Sequence, residues 1–200
     1  MKRRDVLAGA GAFAAAPAFA QVPAAPVRVS LSTAQGLIVL ALDLDKAPIT
    51  AGNFLRYVDA RRYDGATIYR ASHPPGAADY GLIQGGLQND PAKIFKPIAH
   101  ESTTKTGLRH RDGTISIARR AQGSATSDFF ICVGEAGYLD ADPTQPGDNA
   151  GFAAFGQVIE GMDVVRKILT LPTSATAGGT EMKGEILMPP VPILSARRAP

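Results

Sequence analysis

From residue 27 onward the chain alternates apolar and polar positions in short runs. "VRVSLST" (27–33) alternates at every step and predicts a strand. "AQG" is a turn, and "LIVLALDL" (37–44) is a second strand, so the two predict a hairpin. The period then changes. In "KAPITAGNFLRYVDARRY" (46–63), Pro48 lies near a helix start. Ile49, Phe54, Leu55 and Val58 fall on one helical face, and Asp64-Gly65 ends the segment. "ATIYR" (66–70) and "GLIQGGL" (81–87) read as strands, with a soft insert between them. Residues 91–113 are polar and predict a long loop. "TISIAR" (114–119) and "DFFICVG" (128–134) are apolar strands, followed by the turn-rich loop "YLDADPTQPGDNAG" (138–151). "FAAFGQVI" (152–159) predicts a strand and "EGMDVVRKILT" (160–170) a short helix. A polar loop (171–185) leads to a last strand in "PVPILSARR" (190–198). Eight strands and two short helices joined by turns predict a mostly β fold, an antiparallel sheet closed into a barrel.

Composition sets the first twenty residues apart. "MKRRDVLAGAGAFAAAPAFA" has a basic start, an apolar run of small residues and Ala18-Phe19-Ala20. That is the layout of a cleaved export signal, and the apolar run is too short to span a bilayer. Arg3-Arg4 before Val6-Leu7 resembles a twin-arginine signal; an ordinary secretory signal holding two arginines is the alternative. The expected organisation is therefore a signal at 1–20, a flexible leader at 21–26 and one domain at 27–200, exported to the periplasm. Without residues 1–20 the chain has 18 basic and 17 acidic residues, a net charge of +1. A near-neutral domain gives no reason to expect nucleic acid as a partner, nor membrane insertion after cleavage. Cys132, the only cysteine, lies mid-run in "DFFICVG" and reads as a buried, inert thiol.

The usual catalytic constellations are missing from the sequence. His73, His100 and His110 are scattered, with no H-x-x-x-H or C-x-x-C spacing for a metal, and each reads as a surface or loop residue. There is no nucleophile elbow, Walker loop or dinucleotide fingerprint. The acids of 141–151 do not have the spacing of a calcium loop. Ser127-Asp128 lacks a positioned histidine for hydrolysis.

Six stretches in order carry a family resemblance: "YDGATIYR", "GLIQGG", "GTISIAR", "SDFFICVG", "YLD" and "FAAFGQVIEGMDVV". From about residue 27 to 170 the chain resembles the cyclophilin-type peptidyl-prolyl cis-trans isomerases, and "PVPILSARR" suits a final barrel strand. The resemblance implies a closed eight-stranded antiparallel barrel capped by two short α-helices. It implies catalysis by Arg70 with no cofactor and no metal. It places Gln84, Leu82, Phe130, Ala118, Arg119, Tyr138, Leu139 and Phe152 around a bound proline peptide. In the family pattern Phe130 is the aromatic floor of the proline pocket, Ala118 and Arg119 hold the peptide backbone, and Tyr138 and Leu139 form the wall. The implied partners are proline-containing unfolded or extended polypeptides, and the protein is expected to be a monomer.

The departures are specific. Ile68-Tyr69-Arg70 stands for the family's F-H-R, and Leu82 for a usual methionine. Arg119 replaces asparagine, and Tyr138 and Phe152 stand where others carry tryptophan and histidine. The insert "SHPPGAADY" (72–80) lengthens the loop after Arg70. The family's loop phenylalanine falls on Gly81, which leaves Tyr80 as the candidate ring. Two readings follow. One is an exported rotamase that accelerates X-Pro rotation during the folding of exported proteins. The other is a non-catalytic proline-peptide-binding or assembly module on the same barrel. An open, ring-sized hollow beside Arg70 separates the first from the second, in which the insert blocks it.

Overall fold

The structure is a computed structural model that describes residues 26–77 and 79–200. The expected signal at 1–20 and residues 21–25 of the expected leader lie outside the described residues. One antiparallel sheet dominates. Its strands are β1 (Val27–Thr33), β2 (Gly36–Leu42), β3 (Thr67–Ser72), β4 (Gly81–Gly86), β5 (Thr114–Ile117), β6 (Phe129–Val133), β7 (Ala153–Glu160), β8 (Thr173–Ser174) and β9 (Ile186–Ala199). The order is β1-β2-β7-β5-β6-β4-β3-β9, and β9 pairs back onto β1, which closes an eight-stranded barrel. β8 is a two-residue addition to the β9 edge, inside the stretch expected to be a loop. Closure removes the open edges that a free sheet would present.

Strand alternation divides the side chains between two faces. On β6, Phe129, Ile131 and Val133 enter the main core, while Phe130 and Cys132 belong to a separate small cluster with Ala136. The main core also takes Leu31, Ile38, Leu40, Leu42, Ile68, Ile83, Ile115 and Phe155, all essentially inaccessible. Burying one such side chain contributes roughly 1.5–3 kcal/mol.

Two helices, α1 (Pro48–Asp59) and α3 (Met162–Leu169), pack into this core, and α2 (Thr103–Thr106) adds one turn in the long polar loop. From α1, Phe54 meets Phe129 edge-on at 5.5 Å and Phe155 at 5.3 Å. Ile49 does not join this face. It is 44% exposed, because the buried stripe runs instead through Thr50, Ala51, Asn53, Phe54, Leu55, Tyr57 and Val58. Ala47 offers no capping side chain, so the α1 N-terminus takes its acceptor from afar. Glu101 accepts from the Ile49 and Thr50 amides at 3.1 and 2.6 Å and from the Thr50 hydroxyl. A carboxylate at that end satisfies orphan N–H groups and suits the helix dipole. This contact ties the long loop to the barrel.

Candidate functional site

The site lies on the outer face of the barrel, and a β-bulge in β3 puts it there. Ile68 pairs with Gly85, but Arg70 pairs with Gln84, so Tyr69 is the extra residue. Regular alternation would point Arg70 the same way as Ile68, into the core. The bulge reverses the parity: Ile68 and Ala71 face the core, and Arg70 and Ser72 face out. Gly85 lets Thr67 and Ile68 of β3 approach β4 closely, and Gly86 does the same for Asp128. Gly86 has φ +139°, and a Cβ there would collide with the Asp128 carboxylate.

Arg70, Gln84, Leu82, Phe130, Ala118, Arg119, Tyr138, Leu139 and Phe152 all line one open cavity of about 340 Å³, together with Ser72. Every expected site residue is therefore at one place. Phe130 forms the floor, with Phe152 edge-on to it at 5.3 Å. Leu82, Ala118, Leu139 and Phe152 pack against the Phe130 cluster. Tyr138 is 67% exposed at the rim, on a single 3-10 turn (Gly137–Leu139). Among the described residues of the insert, only Ser72 lines the cavity, and it leaves the hollow open. Tyr80 does not replace the missing loop ring in this lining. Its side chain lies over Gly134 instead, within 2.9 Å of where a Cβ would be.

The polar groups form a chain of contacts. Nη1 of Arg70 donates to Oε1 of Gln84 at 2.8 Å. Nε2 of Gln84 donates to the Tyr69 hydroxyl at 2.7 Å, and that hydroxyl donates to Asp128 at 3.0 Å. Asp128 also accepts the Leu87 and Gln88 amides at 2.8 and 2.9 Å and the Ser127 hydroxyl at 3.0 Å. Burial pushes the Tyr69 phenol far above its ordinary range, and the Asp128 charge adds to the shift, so Tyr69 stays a donor. The Gln84 amide is thereby fixed with its oxygen toward Arg70.

Arg119, expected with Ala118 to hold the peptide backbone, directs its side chain to the protein's own loop. Its Nε donates to the Gly151 carbonyl at 2.8 Å, and its two Nη groups hold Asp148 at 2.7 and 2.9 Å. Its guanidinium lies 5.3 Å from the Phe152 ring centre. The side chain lines the cavity as a brace for the 148–152 wall, with most of its donors occupied by the protein itself.

His110 lies in a loop, as expected, but its side chain is buried, at 1% exposure. Nδ1 lies 2.6 Å from Asp140, Nε2 lies 2.9 Å from the Ser116 hydroxyl, and the ring stacks on Phe130 at 5.8 Å. Ser116 is fully buried, so this trio buttresses the pocket floor and offers no accessible nucleophile. Residues 30 apart in sequence gave no spacing signal for it. Cys132 fits its expectation: it is fully buried, and burial pushes its thiol up to about 12.

The fold is a closed antiparallel barrel, and an apolar hollow lies on its outer face beside the Arg70 fork. Residues 28–197 match the family model described as cyclophilin type peptidyl-prolyl cis-trans isomerase/CLD. The chain belongs to that family and is an enzyme of that class. It is 35% identical over 170 residues to a peptidyl-prolyl cis-trans isomerase of Acinetobacter baylyi, covering 84% of each chain. It is 38% identical over 161 residues to peptidyl-prolyl cis-trans isomerase A of Dickeya dadantii, covering 78% of this chain and 77% of the relative. The fold is similar to that of a Cryptosporidium parvum cyclophilin type isomerase crystallised in the presence of the dipeptide Ala-Pro. That likeness has a TM-score of 0.68 at 17% identity and covers 86% of this chain and 99% of the other.

Proposed function

We propose that the 340 Å³ cavity binds X-Pro segments of unfolded or extended chains and lowers the barrier to rotation about the X-Pro bond. The observation that carries this reading is the meeting of Arg70 with Phe130, Leu82 and Leu139 in one open hollow. The crystallised relative's dipeptide, Ala-Pro, has the same chemistry.

Resonance keeps the X-Pro amide planar behind a barrier of roughly 18–20 kcal/mol. No bond to proline breaks during rotation, so the site needs neither nucleophile nor base. It has only to favour the twisted amide over both planar forms. Twisting localises the lone pair on the proline nitrogen and makes it a better acceptor. Arg70 donates to that nitrogen and to the proline carbonyl through the fixed fork of its guanidinium. Phe130, Leu82, Leu139 and Phe152 hold the ring. The backbone at Ala118 and Arg119 aligns the peptide, and Tyr138 shields the rim.

The open hollow favours turnover over mere binding. The signal-like residues 1–20 support a periplasmic site of action, with exported chains as clients. One well-placed donor can be worth about 3 kcal/mol, or about a hundredfold in rate. Arg70→Ala should therefore lower kcat/KM on a proline peptide at least about tenfold while the barrel stays folded. Equal rates for wild type and Arg70→Ala would refute the mechanism.

A further inference from the structure

The Arg70 guanidinium has a second anchor that the isomerase reading does not use. Glu185 ends the polar segment 171–185, immediately before β9. Its Oε2 accepts from Nε of Arg70 at 2.7 Å and lies 2.7 Å from Nη2. Its Oε1 accepts from the Ser72 hydroxyl at 2.7 Å. Its own carbonyl accepts from the Ala71 amide at 2.9 Å, so the main chain is fixed as well. Arg70 and Glu185 are only 22% and 29% exposed. A surface ion pair joins two free side chains and contributes little. Here one carboxylate meets Arg70 and Ser72, the two β3 residues that line the cavity, while Gln84 holds Arg70 from its other side.

We propose that Glu185 is a positioning residue: it fixes the plane of the Arg70 guanidinium, with Gln84 at the opposite edge. The proposal rests on the isomerase reading of this cavity. Glu185 takes Nε and faces Nη2, and Gln84 takes one Nη1 proton. One N–H on each Nη stays outside these contacts, available to a twisting amide. Without Glu185 the fork is held on one side only. It must then be ordered during the reaction, at the expense of rate.

The test compares Glu185→Ala and Glu185→Gln with the wild-type chain on one proline peptide. Glu185→Ala should lower kcat by about tenfold and leave KM within about twofold, because the ring pocket is untouched. Glu185→Gln keeps an acceptor for Arg70 or Ser72 and should recover the larger part of the loss. In nitrogen-15 spectra the Arg70 Nε–H signal should be slow to exchange in the wild type and lost in Glu185→Ala. A purely structural ion pair would shift the thermal midpoint and leave kcat unchanged. Full turnover in both wild type and Glu185→Ala overturns the role of Glu185 alone. A wild type inert toward proline peptides overturns the isomerase reading and this proposal with it.

Discussion

The Tyr69 phenol connects two parts of the site, donating to Asp128 and accepting from Gln84. Its neighbour Asp128 keeps three other donors, so Tyr69→Phe should leave the fold standing and cost about 1 kcal/mol. The Gln84 amide would lose the acceptor that sets its orientation. Turnover should then fall by about threefold to tenfold, read from isomerisation rates beside a urea titration. Unchanged turnover would mean that Gln84 is held by Arg70 alone. At this scale the sequence was informative about identities and silent about networks. The order of the motif residues picked out Arg70, Gln84 and Phe130. Glu185 sits 115 residues from Arg70 in a polar segment, and no local pattern marks it. Arg119 was visible as a substitution, but its attachment to Asp148 and Gly151 depends on where the 141–151 loop folds back.

The strand is the element that separates stability from chemistry. On β6, Phe129 points into the barrel against Phe54 and Tyr63, and Phe130 points out under the cavity. Phe129→Ala should cost about 3–5 kcal/mol, the usual price of emptying a large aromatic site in a core. Phe130→Ala should cost less stability and more activity, measured by urea unfolding and isomerisation rate. The reverse ranking would show that the two faces are wrongly assigned. The pattern of apolar and polar positions, alternating in "VRVSLST" and continuous but bounded by turn residues in "LIVLALDL" and "DFFICVG", made the eight barrel strands legible. It could not show the β3 bulge, which breaks the alternation at Tyr69 to turn Arg70 outward. β8 and α2 are two and four residues long, too short to carry a period, and both fell within stretches read as loops.

For the whole molecule, pH dependence has a definite sign. Burial holds the His110 imidazole below its usual range, against the pull of Asp140. The fold therefore favours the neutral ring, and protonation favours the unfolded chain. The contribution is complete above the ordinary imidazole value of about 6.5 and is lost as pH falls through the lower folded value. The thermal midpoint should decline below about pH 6.5, and His110→Gln should flatten that part of the curve. Because the ring stacks on Phe130, the same titration should loosen the pocket floor.

Barrel closure makes the account hold together: β3, β4 and β6 are adjacent strands of one rigid wall, so Arg70, Gln84 and Phe130 keep fixed places. A crystal structure with an Ala-Pro peptide bound tests that account most directly. The proline ring should rest on Phe130, with an Arg70 Nη within hydrogen-bond reach of the peptide. A ring seated elsewhere, for example in the apolar hollow of about 550 Å³ beside Leu42, Leu44 and Leu108, would contradict it.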